Sequence, residues 1–94
     1  MFKPTAALSA LALALWLTLP DALPADERID VKNLPETVAM SIEKRFPGAK
    51  LLRAERERND GRIEYEVEIR HDGNRYEVEV TEDGRITDID REDD

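Results

Sequence analysis

The sequence predicts an α+β fold in which one N-terminal helix packs on one face of a four-stranded antiparallel meander sheet. Between Leu34 and Gly48 apolar residues recur every fourth position, the period of an amphipathic helix, whereas from Ala49 onward they alternate with polar residues, as in a half-buried strand. Three Asp-Gly pairs divide the alternating part into four runs. Because one helix can cover only one side of a sheet, we expect the other side to face solvent.

The predicted helix lies within "LPETVAMSIEKRFPG". Pro35 suits the first helical position, Lys44 and Arg45 complement the negative C-terminal end, and Pro47-Gly48 terminates the helix. Its apolar stripe consists of Leu34, Val38, Ile42 and Phe46, with Ala39 beside it. We expect this stripe to pack on the apolar face of the sheet.

The three turns set the expected strand registers. A two-residue turn at Asp72-Gly73 places Glu66 opposite Glu79 and puts every apolar residue of the central hairpin on one face. For the first hairpin a two-residue turn is preferred to a three-residue loop with a bulge, because it directs Leu52 and Ala54 into the core.

The last hairpin, with its turn in Glu82 to Arg85, leaves two registers open. Ile86 and Ile89 lie three positions apart, so they cannot both face inward in a regular strand. A bulge in the last strand would allow both to do so.

Glutamates gather on the opposite face of the predicted sheet. Glu55, Glu66 and Glu79 form one row across three strands, and the next row holds Arg53, Glu68 and Glu77. The candidate partner-binding residues are Glu55, Glu64, Glu66, Glu68, Glu77 and Glu79. The face would dock a basic partner or hold a divalent cation weakly; the alternative is a solvated face that keeps a small domain soluble.

The first 25 residues have the pattern of a signal peptide. Lys3 precedes an apolar run from Ala6 to Leu19, which is shorter than the roughly 20 residues that span a bilayer. Cleavage is expected after Ala25, which predicts a periplasmic or secreted protein; an uncleaved membrane anchor is the alternative. No cysteine follows the run, which argues against a lipoprotein.

The remainder is expected to be one small domain, with a polar lead-in at 26–33, the folded part at 34–90 and an acidic tail at 91–94. The chain has no cysteine, so disulfides cannot stabilise it. Its net charge of −8 makes nucleic acids and anionic membranes poor partners, and favours basic proteins, basic peptides and cations.

Catalytic signals are weak, and no cofactor is predicted. His71 is the only histidine and is expected to flank a turn, while Ser41 lies in the middle of the helix. No His/Cys cluster indicates a zinc site and no acidic loop has the EF-hand pattern. The terminal "DIDREDD" could bind a divalent cation loosely, although a frayed acidic end is the preferred interpretation.

The order of these parts resembles the PepSY and PepSY-like families of small exported bacterial domains. The similarity covers Leu34 to Asp90 and depends on Phe46-Pro47-Gly48-Ala49 combined with Tyr65-Glu66-Val67 and Tyr76-Glu77-Val78. The resemblance implies a fold related to that of beta-lactamase inhibitor proteins and a role in binding or restraining secreted enzymes, as PepSY modules do in protease propeptides. It implies no catalytic residues, and this chain has one module without an attached peptidase.

Overall fold

A computed structural model describes residues 26–92 of the chain. These residues form an α+β fold with one α-helix, a short 3-10 turn and a five-stranded antiparallel sheet whose strands are neighbours in chain order. The predicted signal peptide lies outside the described residues. The elements are β1 (Asp26–Ile29), the 3-10 turn (Val31–Asn33), α1 (Glu36–Arg45), β2 (Lys50–Asn59), β3 (Arg62–His71), β4 (Asn74–Thr81) and β5 (Ile86–Glu92).

The prediction of four strands with the helix first is wrong, because β1 and the 3-10 turn precede α1. β1 occupies half of the segment that was predicted to be a polar lead-in, and it pairs with β2 at the edge of the sheet. Three of its four residues are charged, so it lacks the apolar alternation that identifies a strand in sequence. Its backbone pairing and the inward-facing Ile29 keep it on the sheet.

The chain is also ordered beyond the predicted end of the domain. β5 continues to Glu92, which lies opposite Arg75 of β4, so Arg91 and Glu92 belong to the sheet and not to a frayed tail. The reason is that side chains on both faces of β5 have partners on β4: Ile89 lies opposite Val78, and Arg75 forms an ion pair with Glu92.

The second hairpin has the predicted register, and the first has it from its turn as far as Arg53. Asp60-Gly61 and Asp72-Gly73 each form a two-residue turn in which both residues have positive φ, as type I′ turns require. Glu66 lies opposite Glu79, as expected. The last turn is the three-residue form, in which the Gly84 N–H donates to the Thr81 carbonyl and the Thr81 N–H donates to the Arg85 carbonyl.

Bulges in β2 and β5 decide which apolar residues near the sheet edges enter the core. In β2 the pairing skips Leu52, which is 37% exposed, while Leu51 pairs with Ile69 and turns inward. The expectation that Leu52 is buried is therefore wrong, although Ala54 is buried as expected. In β5 a bulge between Ile86 and Ile89 lets both isoleucines contact the core.

The core lies between α1 and one face of the sheet. The predicted helix stripe is buried in one cluster with inward residues of β2, β3 and β4: Ala54, Tyr65, Val67, Ile69, Val78 and Val80. Two side chains hold α1 on the β4–β5 turn, since Thr37 donates to the Glu82 carbonyl at 3.0 Å and Ser41 donates to the Gly84 carbonyl. The opposite face of the sheet carries charged residues. Within residues 26–92 no helix is long and apolar enough to cross a membrane.

Candidate binding face

The face of the sheet opposite α1 presents charged side chains in rows that run across the strands; we call it the acidic face. One row places Glu55, Glu66, Glu79 and Asp88 on four adjacent strands, with Arg28 of β1 at its end. The register pairs Glu55 with Glu66, Glu66 with Glu79 and Glu79 with Asp88. Side chains directly opposite one another on a sheet are about 5 Å apart at Cβ, so this row concentrates negative charge.

The neighbouring rows contain further cations of the acidic face. Arg53 lies beside Glu68 and donates to Glu55 Oε1 at 3.4 Å. The Nη2 atom of Arg75 donates to Glu68 Oε2 at 3.0 Å and to Glu92 Oε2 at 3.2 Å. Between these ion pairs lies a depression of about 300 Å³ lined by Arg53, Glu55, Glu66, Glu68, Arg75, Glu77 and Glu92.

The carboxyl group of Glu66 is strongly perturbed by this arrangement. Partial burial is the largest cause, followed by the charges of Glu57 and Glu55, and together with a hydrogen bond to Glu57 they raise its pKa to about 7. The pKa of Glu57 is raised as well, again chiefly by burial. Glu66 is therefore protonated for part of the time at neutral pH. Its carboxyl O–H then donates a hydrogen bond to the Glu57 carboxylate.

A second perturbed group lies in the next row. Burial, the charge of Glu66 and a hydrogen bond to Glu92 raise the pKa of Glu77 to about 7. Asp90, which lies opposite Glu77, adds to the effect. Both shifts have the same physical origin: partial burial disfavours the charged form of each carboxyl group, and the neighbouring carboxylates add to this effect.

The structure brings most of the predicted site residues together. Glu55, Glu66, Glu68 and Glu77 line the central depression, and Glu79 lies beside Glu66. Glu64 is apart from them near the first turn, where it accepts from Asn59 Nδ2 at 3.3 Å.

Five acidic residues of the acidic face are absent from the set predicted from the sequence. They are Asp26, Glu57, Asp88, Asp90 and Glu92. Glu57 follows from the alternation of β2. Asp88 and Asp90 lie in the predicted last strand, whose register was left open, whereas Asp26 and Glu92 lie outside the predicted strands.

Three carboxylates of the acidic face could converge on a cation. One oxygen from each of Glu57, Glu66 and Glu79 lies within 4.8 Å of the others. Calcium takes oxygen ligands at 2.3–2.6 Å, so small side-chain movements would bring all three into its coordination sphere. No metal ligands are predicted from the sequence, and these three carboxylates are the ones that would provide them.

The two side chains considered for catalysis contact the backbone. His71 flanks the second turn opposite Asn74, its Nε2 lies 3.1 Å from the Pro47 carbonyl oxygen, and its ring meets Phe46 edge-on at 5.5 Å. The hydroxyl of Ser41 donates to Gly84. These contacts tie α1 and the segment after it to the sheet.

In comparisons with known proteins, no family model matches the chain, and neither a curated protein nor a solved structure matches it.

Proposed function

We propose that the protein is an exported, non-enzymatic binding module that docks a basic protein or peptide on its acidic face. The observation that carries this proposal is the row of four mutually opposed carboxylates, Glu55, Glu66, Glu79 and Asp88. Like charges directly opposite one another destabilise a sheet. A partner that brings lysine or arginine side chains to this row would remove the repulsion. The free energy that this repulsion costs the free protein would then favour binding.

The net charge of −8 supports the same class of partner. A long-range negative potential accelerates the approach of a basic protein, and this acceleration falls as salt screens it. The PepSY resemblance extends the proposal to a physiological role, in which the bound partner is a secreted enzyme held in a restrained state. The predicted signal peptide would place both proteins outside the cytoplasm.

Charge reversal on the acidic face tests the docking site. The double substitution Glu66→Lys with Glu79→Lys should weaken binding of a lysine-rich peptide at least tenfold at 0.15 M salt. A matched control is Glu36→Lys with Glu82→Lys, because both residues are exposed, lie off the acidic face and change the net charge equally. Equal losses in the two variants would show that only net charge matters and would exclude the acidic face as the docking site.

A second candidate function is a domain that responds to divalent cations. The convergence of Glu57, Glu66 and Glu79 within 4.8 Å favours it. An ion at 100 times its dissociation constant would stabilise the fold by about 2.7 kcal/mol, which raises the melting temperature by roughly 10 °C in a domain this small.

Thermal melts in calcium, magnesium or zinc, compared with sodium chloride at matched ionic strength, test the cation response. Far-UV circular dichroism is the suitable signal, because the only tryptophan, Trp16, lies in the predicted signal peptide. An equal effect of all salts would exclude a specific ion site.

A further inference from the structure

The outer edge of β5 has no partner strand among residues 26–92, because β5 is the last strand in the sheet order. An open strand edge presents backbone N–H and C=O groups that can pair with an added strand. β5 is seven residues long, whereas β1, at the opposite edge, has only four. The β5 edge is therefore the longer template for an added strand.

Charge on β5 indicates which strand would pair there. Asp88, Asp90 and Glu92 lie opposite Glu79, Glu77 and Arg75, so their side chains project on the acidic face at alternate positions. A second copy paired through β5 would place carboxylates opposite carboxylates, which opposes self-association at this edge. A strand with lysine or arginine at every second position would place its cations opposite these three residues. On β1, by contrast, the acidic face has Asp26 and Arg28, of opposite charge.

The other face of β5 supplies a second requirement. Ile86 and Ile89 are only partly buried where they pack against the core. A groove between α1 and the start of β5 lies beside Ile86 and is also lined by Ser41, Lys44, Arg45 and Gly84. Aliphatic side chains on an added strand would cover the remaining exposed area of both isoleucines.

We propose that the β5 edge binds an extended peptide as a sixth strand, with basic residues at alternate positions over the acidic face and aliphatic residues between them. This inference rests on the proposed function and specifies how the basic partner is held. Backbone hydrogen bonds supply the affinity, and the alternation of charge supplies the selectivity. The proposal thus requires a particular spacing of cations, which docking to the acidic face alone does not.

Two peptides of identical composition separate these modes of binding. The first is acetyl-KVKTKVK-amide, which alternates, and the second is acetyl-KKKKVVT-amide, which has the same charge in one block. Binding to the purified chain is measured by calorimetry at 0.15 M salt. We expect the alternating peptide to bind at least tenfold more tightly. Equal affinities would overturn the sixth-strand proposal and leave docking on the acidic face intact, whereas failure of both peptides to bind would overturn both.

Backbone N-methylation tests the hydrogen bonds directly. In an added strand, the N–H groups of alternate residues point toward the sheet and the others toward solvent. Two versions of the alternating peptide, one methylated at both valines and one at its two internal lysines, differ in this parity. We expect one version to lose at least tenfold in affinity and the other to retain it. Equal affinities of the two methylated versions would overturn the proposal.

Substitutions on β5 test whether the peptide binds at this edge of the sheet. Asp88→Asn with Asp90→Asn removes two carboxylates that face the proposed peptide, and should weaken binding of the alternating peptide at least fivefold. The matched control is Glu36→Gln with Asp60→Asn, which removes the same charge at exposed positions on α1 and in the first turn. Equal binding by the two double variants would show that β5 does not hold the peptide.

Discussion

Glu66 and Glu79 lie directly opposite each other on β3 and β4, in the middle of a face where partial burial and neighbouring carboxylates raise the pKa of Glu66 to about 7. A sheet selected only for stability would place opposite charges at such positions. Repulsion between these carboxylates lowers the stability of the free domain. Protons, cations or a basic partner can each remove this repulsion. The same residue pair thus links folding stability, pH and binding.

The first prediction concerns the pH dependence of stability. The pKa values of Glu66 and Glu77 are raised from 4.5 to about 7 by folding, so the native state binds more protons than the unfolded state between these values. The stability that these two groups contribute should therefore be complete below about pH 4.5 and should be lost as the pH rises through 7. Urea denaturation at a series of pH values, followed by circular dichroism, measures this slope.

Amide variants identify the groups responsible for the slope. Glu66→Gln with Glu77→Gln removes both titrations and should flatten the dependence between pH 5 and 8, with the largest gain in stability at pH 8. Asp83 serves as a comparison, because a hydrogen bond from Thr81 lowers its pKa below 3.8, so it affects stability only in stronger acid. A slope that persists in the double variant would show that other groups take up the protons.

The second prediction concerns the contact between α1 and the last turn. A Cβ atom on Gly84 would lie 2.9 Å from Ser41 Oγ and 3.0 Å from the Thr37 carbonyl oxygen, and its φ is +93°. Gly84→Ala should cost about 2 to 4 kcal/mol, from backbone strain and from displacement of α1. Gly61→Ala is the matched control, since its φ is +79° but nothing lies within 4 Å of the added Cβ.

Urea denaturation of the two alanine variants separates the two contributions. We expect Gly61→Ala to cost about 1 to 2 kcal/mol, from backbone strain alone. Equal losses in the two variants would mean that α1 moves aside without cost.

The central sheet was predictable from sequence because its determinants are local. Asp-Gly accepts the two positive φ angles of a type I′ turn, and the turn then fixes the partner of every residue in β3 and β4. The row formed by Glu55, Glu66 and Glu79 follows from these turns and the alternation of the strands.

The remaining features depend on tertiary contacts. β1 is held by backbone pairing with β2, which its charged sequence does not indicate. The bulge in β2 exposes Leu52 and lets Leu51 pair with Ile69 of β3. The bulge in β5 is favoured because it lets both Ile86 and Ile89 contact the core. The raised pKa of Glu77 depends in part on Glu92, whose position required knowing that β5 continues to the end of the described chain.

The third prediction tests the β2 bulge. Ile69 is fully buried, whereas Leu52 is 37% exposed. Ile69→Val should lower the free energy of unfolding by about 0.5 to 1.5 kcal/mol, although it removes only one methylene group. Leu52→Ala removes three carbon atoms and should change stability by less than about 0.5 kcal/mol. The order of the two losses in urea denaturation is the result to examine, since a larger loss for Leu52→Ala would place this side chain in the core.

The fourth prediction is that one substitution stabilises the fold and weakens binding. Glu79→Lys places a cation opposite both Glu66 and Asp88, and should raise the free energy of unfolding at pH 8 by about 0.2 to 1 kcal/mol. The gain should shrink in 1 M salt, where charges are screened. The same variant should bind a lysine-rich peptide several-fold more weakly, because the introduced lysine occupies the position that a cation of the partner would take.

Two further variants interpret the result. Glu79→Gln removes the repulsion without adding attraction, so its stability should lie between those of the wild type and Glu79→Lys. Glu36→Lys makes the same change in net charge on α1 and should leave peptide binding close to that of the wild type. If Glu79→Lys instead destabilises the fold, repulsion on the acidic face is not the dominant effect at this position. If it binds the peptide as tightly as Glu36→Lys does, the partner contacts another part of the protein.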